Sequence, residues 1–243
     1  MNVIVLPDAA SIGQSAGALI CDLVRQKPDA VLGLATGSSP VPTYRKMIAA
    51  HRAGEASFRN VVTFNLDEYC DLPEEDENSY HTFMREQLFA HMDILPENTY
   101  FLDGNCADEQ AESERFSKAI AAAGGIDLQV LGIGRNGHIG FNEPAESFTG
   151  EAYKTALTPS TIEANSPYFA NPDIPMPLYA MTMGIGQILR ARKIVLVATG
   201  EAKAEAVKAM IEGEVTPQCP ASVLQRHPGV TVYLDAAAAS LLS

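Results

Sequence analysis

One histidine and one carboxylate, His138 and Glu143, sit five residues apart in a stretch that also holds Gly132, Gly134, Gly137 and Gly140. A histidine can give or take a proton near neutral pH. A glutamate that turns back onto it can hold the ring in one orientation. Glycines let the backbone turn sharply and come close to a ligand. The apolar run at 127–131 that leads into the stretch reads as a buried strand. In an open parallel sheet, the loops after the strands' carboxyl ends are where ligands bind. The residue types therefore point to proton transfer on a bound small molecule. A strained loop with an incidental histidine fits the same residues.

Three other places could join that chemistry. Asp67 and Glu68 follow an apolar run at 61–66, so two adjacent carboxylates fall at a strand's carboxyl end. In an extended chain their side chains point opposite ways, and only one faces a pocket; we take Asp67. A strand-terminating turn is the plainer explanation. Thr36-Gly37-Ser38-Ser39-Pro40 lies between a strand and a helix, where free amides and a partial positive charge suit a phosphate. Ordinary helix capping also uses such residues. Lys203 falls in the first turn of a later helix, an unfavourable place for a cation unless an anion sits there too. A solvated surface lysine is the alternative.

These residues need a frame. Strands are expected at 3–6, 30–35, 61–66, 99–102, 127–131, 152–157, 193–198 and 230–234. Helices are expected at 8–26, with Asp8 as N-cap, and at 41–52, 79–91, 107–123, 181–191, 201–212 and 235–242, with a helical turn at 221–226. His81 and His91 fall in the third of these helices as structural or exposed residues. The alternation implies α/β architecture: a single doubly wound, mostly parallel sheet formed by 1–243 as one domain. Residues 158–180 hold Pro159, Pro167, Pro172, Pro175 and Pro177 and read as a lid over the pocket, or as a structural excursion.

The chain has 243 residues and a formal net charge of −13. That charge repels nucleic acid and anionic membrane, so a phosphorylated ligand must be held by local donors. Cys21, Cys70, Cys106 and Cys219 form no CxxC pair and no cluster with histidine, which reads as reduced thiols in a cytoplasmic protein without a metal site. No apolar run is long enough to span a bilayer.

Thr36-Gly37-Ser38-Ser39-Pro40, Asn65-Leu66-Asp67-Glu68-Tyr69, Gly134 to Pro144 and Thr199-Gly200-Glu201-Ala202-Lys203-Ala204 occur in that order. Together they resemble the glucosamine-6-phosphate deaminase (isomerase) family, essentially from end to end. The resemblance implies conversion of D-glucosamine 6-phosphate and water to D-fructose 6-phosphate and ammonia, in amino-sugar catabolism, with no metal or organic cofactor. It makes His138 the ring-opening residue, Asp67 the base at the amine-bearing carbon, and Glu143 the residue that orients His138. Gly37, Ser38, Ser39 and Lys203 become the phosphate site. The partner it implies is the small amino-sugar phosphate, taken up by a monomer or small homo-oligomer.

Three positions depart from the family pattern. Asn136 stands where many relatives carry aspartate; its amide oxygen can still accept from His138, without a negative charge. Pro167 stands where an arginine usually meets the phosphate, which implies weaker phosphate binding or help from another basic residue. The basic residues that bind an N-acetylated activator in the hexameric branch are unmatched around Tyr153 and Thr155, as expected of the short, unregulated branch. A 6-phosphogluconolactonase, a galactosamine-6-phosphate deaminase and a sugar-phosphate-sensing domain are the competing assignments. The lactonase likeness is confined to the glycine–histidine loop, and a sensor would not need Asp67, His138 and Glu143 together.

Overall fold

Short apolar runs with few polar interruptions are buried along their length and form the centre of the molecule. The computed structural model describes residues 1–169 and 175–243. Its first half runs β1 (Asn2–Leu6), α1 (Ala9–Gln26), β2 (Val31–Leu34), α2 (Val41–Arg52), β3 (Val62–Asn65), β4 (Asp67–Tyr69) and α3 (Tyr80–Gln87). It continues through β5 (Thr99–Tyr100), α4 (Glu109–Ala122), β6 (Leu128–Leu131), β7 (Tyr153–Ala156) and α5 (Pro159–Asn165). The last part holds β8 (Tyr179–Thr182), α6 (Ile185–Leu189), β9 (Lys193–Ala198), α7 (Ala204–Glu212) and β10 (Val230–Asp235).

Seven strands form a parallel sheet in the order β1-β10-β9-β6-β2-β3-β5. Its centre, β2 and β6, is buried at every residue, as a strand covered on both faces must be. Ile12 and Ile20 of α1 and Met47 of α2 pack with Leu32, Leu34, Leu128 and Val197 on one face. Phe116 of α4, Ile188 of α6 and Val207 and Met210 of α7 pack with Phe64, Leu131 and Leu196 on the other. The Asp8 carboxylate accepts from the Ser11 amide at 2.7 Å, the expected N-cap. The strand order runs outward from β2 through β3 to β5, then returns on β2's other side through β6. That reversal places a crevice at the carboxyl ends of β2 and β6, where open α/β sheets take ligands.

The mostly parallel central sheet is as expected from sequence, but it is not the sole sheet. A second, three-stranded antiparallel sheet, β4-β8-β7, sits beside it. The chain leaves β3 at Leu66, whose N–H donates to Leu34 O and whose carbonyl accepts from Met183 N at 2.7 Å. Asp67 is thus the first residue of the second sheet.

The helix expected over 181–191 is corrected accordingly. Tyr179–Thr182 is strand, and helix begins only at Ile185. A Cβ on Gly184 would lie 2.2 Å from the Glu151 carbonyl oxygen, so this backbone crosses its neighbour at a spacing that only glycine allows. The helix expected over 235–242 is also absent, and turns replace it. The Asp235 carboxylate accepts from Gly200 N and Ala238 N, which competes with helical pairing. Of the segment expected as a lid, α5 and a 3-10 turn at Ser166–Tyr168 are formed. Its residues 170–174 lie outside the described residues.

Candidate active site

The loop after β6 folds back on itself. Gly134 N donates to His138 O at 2.9 Å, and Gly137 N to Gly134 O at 3.1 Å. The His138 imidazole lies flat against the Gly134 backbone: a Cβ there would stand 2.3 to 2.5 Å from three ring atoms. Glycine at 134 is therefore a requirement of the ring's position rather than of the turn.

Glu143 closes on this ring. Its Oε2 lies 3.3 Å from His138 Nδ1 and accepts from Asn136 Nδ2 at 2.7 Å. Its Oε1 accepts from the Thr161 hydroxyl at 2.5 Å. Burial opposes the charge of Glu143, but the His138, Thr161 and Asn136 hydrogen bonds and the imidazole's charge outweigh it and hold the carboxyl down at about 2. An ionised Glu143 puts the proton of a neutral imidazole on Nδ1 and leaves Nε2 free to accept one from a ligand. Asn136 does not meet the ring as expected. Its amide oxygen accepts from the backbone N–H of His138 at 3.2 Å, and its amide nitrogen serves Glu143.

Asp67 reaches the same place from the second sheet. Its Oδ2 lies 3.5 Å from where a Cβ on Gly140 would stand, two residues along from His138. Among the described residues its carboxylate has no hydrogen-bond partner. It is 5% exposed. Burial, and after it the neighbouring Glu68 charge, push its pKa up to about 8. Glu68 points away, as the extended alternation requires. It accepts from the amides of Tyr69, Tyr80 and His81 and lies 2.7 Å from His81 Nδ1, so it anchors the start of α3. His81 also stacks on Phe101, in the structural role expected of it.

Strand order brings the phosphate candidates together. The loops after β2, β6 and β9 are neighbours because those strands are neighbours. Ser39 Cβ lies 3.8 Å from a Cβ position on Gly132, which joins the first two loops. Plain capping does not account for Ser38 and Ser39, since no side chain caps α2. Gly37 adopts φ +88°, which leaves the loop exposed and turned away from helix. Lys203 stands at the start of α7; burial, then the nearby Arg135 cation, lower its pKa below the ordinary lysine value. Two cations held near one another, Lys203 at the start of α7 and Arg135 in the glycine loop, suit an anion.

Sequence reasoning missed two supports. Thr182 of β8 accepts from Phe141 N at 3.0 Å and fixes the glycine loop to the second sheet. Thr161 completes Glu143. Neither shows in periodicity, because a hydroxyl aimed at a distant carboxylate looks like any buried threonine. Among the described residues, no cluster of three or more His, Cys, Asp or Glu could hold a metal ion. No described helix is long and apolar enough to cross a membrane. A groove of about 820 Å³ lies away from these loops along α4, and its Arg190 and Ser117 are already paired with Glu151.

A parallel sheet with an acid, an imidazole and two anion-ready helix starts at its switch point defines a sugar-phosphate isomerase type of site. The chain belongs to the family of glucosamine-6-phosphate isomerases and 6-phosphogluconolactonases, whose family model matches residues 8–233. It is 49% identical to a glucosamine-6-phosphate deaminase of Cellvibrio japonicus over 243 residues, covering all of this chain and 92% of the relative. It superposes on the structure of a monomeric glucosamine-6-phosphate deaminase with a TM-score of 0.95 at 44% identity, covering 99% of this chain and 100% of that one. A 6-phosphogluconolactonase from Trypanosoma cruzi gives a TM-score of 0.76 at 20% identity, covering 100% and 97%, a likeness of fold.

Proposed function

We propose that this chain is a glucosamine-6-phosphate deaminase, which converts D-glucosamine 6-phosphate and water to D-fructose 6-phosphate and ammonia. The observation that carries this is the convergence of Asp67 and the His138–Glu143 pair on one loop, beside the Ser39 and Lys203 helix starts. The 49% identity over the whole chain to a protein of that name supports it.

The steps then fall to these residues. Gly37, Ser38, Ser39 and Lys203 hold the phosphate, so the sugar is fixed at one end. His138 Nε2 takes the proton of the C1 hydroxyl and delivers it to the ring oxygen, which opens the ring to the aldehyde. Glu143 stabilises the imidazolium formed in between, as a buried acid does in a serine-hydrolase triad. Asp67, as carboxylate, removes the proton from C2 while the substrate's own ammonium gives one to the C1 oxygen, and Asp67 then returns its proton to C1. The C2 enolamine becomes an iminium, water adds at C2, and ammonia leaves to give the ketose. Burial raises the basicity of Asp67 and keeps it from being hydrated, so a carboxylate suffices for the transfer. No step calls for a metal or an organic cofactor.

Within residues 158–180, the expected lid, α5 lies against Glu143. A monomer is the expected assembly, with hyperbolic kinetics that N-acetylglucosamine 6-phosphate does not alter, and the expected compartment is the cytoplasm. The test is release of ammonia from glucosamine 6-phosphate, set against galactosamine 6-phosphate and against hydrolysis of 6-phosphogluconolactone. Turnover of the lactone alone would sink the proposal.

A further inference from the structure

Glu143 has two oxygens and divides them between two parts of the molecule. Oε2 serves its own loop, through Asn136 and His138. Oε1 is taken by Thr161, eighteen residues on and in a different element, α5. Thr161 is 3% exposed, so no water competes for that oxygen from its side. Its hydroxyl is itself oriented: Thr158 Oγ1, at the N-cap of α5, donates to Thr161 Oγ1 at 3.1 Å. A hydroxyl that accepts from one neighbour has its single proton left for the other, so the proton points at Glu143.

The rest of α5 is held by apolar contact. Ile162 packs against the cluster of Tyr69, Leu72, Phe141, Leu157 and Ala180, under which the second sheet lies. Phe169, just past α5, stands edge-on to Tyr69 at 5.4 Å between centroids. Two of these residues, Tyr69 and Phe141, are near chain neighbours of Asp67 and Glu143. The surface that receives α5 is thus built on the strands and loop that carry the acid groups. If α5 shifts from that surface, Oε1 loses its buried donor. The carboxylate is then free to rotate about its terminal bonds, and its grip on His138 Nδ1, already long at 3.3 Å, loosens.

We propose that Thr161 is a positioning residue that ties the docking of α5 to the orientation of Glu143 and, through it, of the His138 ring. It touches neither sugar nor phosphate. It makes the proton-transfer pair complete only when α5 is seated. This rests on the assignment of His138 and Glu143 to ring opening given above.

The experiment compares Thr161→Val, which keeps shape and removes the hydroxyl, with Thr161→Ser, which keeps the hydroxyl. Both are made in wild-type and Glu143→Gln backgrounds. Thr161→Val should lower kcat for glucosamine 6-phosphate about 30-fold with KM within about threefold, the size expected of a lost charge-assisted hydrogen bond. Thr161→Ser should stay within about threefold of wild type. In the Glu143→Gln background, Thr161→Val should add less than about a twofold loss, because the two act as one unit. The ¹⁵N shifts of the His138 ring should report one tautomer, protonated at Nδ1, in wild type and Thr161→Ser, and a mixture in Thr161→Val. Wild-type kcat in Thr161→Val, an equal fall in Thr161→Ser, or an undiminished loss in the Glu143→Gln background would overturn the proposal. The ring shifts are read without substrate, so they judge Thr161 even if the wild-type protein leaves the amino sugar intact.

Discussion

Replacing Asp67 by asparagine should stabilise the fold, by an amount that grows with pH. Asp67 is 5% exposed, and among the described residues nothing donates to its carboxylate. Burial, with the Glu68 charge behind it, raises its pKa from 3.8 to about 8. A folded-state pKa above the unfolded one means that the folded protein binds the extra proton between those two values. Stability from this group is complete below pH 3.8 and is lost as pH rises through about 8. The loss is about 1.4 kcal/mol per pH unit, or on the order of 5 kcal/mol by pH 8. Asparagine has the shape of the protonated acid and no titration. The two proteins should therefore be alike in stability near pH 4, and the variant should pull ahead steadily up to about pH 8, then hold its lead. Urea unfolding of both proteins across that range measures the gap directly, and the slope of the difference is free of every other titrating group. Parallel curves would show that Asp67 is solvated or paired, and the buried-base argument would fall with it. The same substitution should cut kcat by about a thousandfold or more, since the site loses its base at C2. A more stable and inactive protein is the joint signature.

Four further outcomes follow from the same geometry. Glu143 has the opposite sign: its pKa of about 2 lies below the ordinary 4.5, so its contribution is present above pH 4.5 and is lost as pH falls through about 2. Glu143→Gln should therefore cost about 3 kcal/mol at neutral pH, and the deficit should shrink on acidification, as urea titration of the pair would show. Gly134→Ala should displace the imidazole and lower kcat about 100-fold while the fold survives, checked by circular dichroism beside the assay; wild-type turnover would refute the close approach of ring and backbone. Lys203→Ala should raise KM about tenfold or more with a smaller change in kcat, and inorganic phosphate should lose its competitive inhibition. The kcat/KM of wild type should rise with pH up to about 8 as free Asp67 ionises, and a flat profile would count against that assignment.

The frame of this protein could be read from its sequence where burial leaves no freedom. The stretches around 31–34, 128–131 and 193–198 must be central strands, because a run apolar on both faces has nowhere else to go. The loops after them carry glycine, serine, histidine and lysine, and parallel order alone sets those loops side by side. The second sheet was not legible. β4 has three residues and β8 follows a proline-rich stretch, so neither carries enough alternation to stand out, and Gly184 and Gly186 gave way to a helical spacing that tertiary contact overrides. The site was legible to the same depth. Asp67, His138 and Glu143 stand out because they follow apolar runs that end at the ligand edge of the sheet, and the structure brings them to one loop. The hydrogen bonds that aim them were not legible: Asn136 turned its nitrogen to Glu143 rather than its oxygen to the ring, and Thr161 gave no sign at all. Such contacts depend on side-chain rotation at long range, which spacing does not encode.

The order of strands has a consequence for how the chain comes off the ribosome. Among the described residues β1 pairs with β10 alone, so residues 2–6 find their partners only when residues 231–235 have been made. Every strand that bears a functional loop can pair before then. The growing polypeptide can thus assemble its pocket while β1 still waits at the edge, and the arrival of β10 is what seals the sheet.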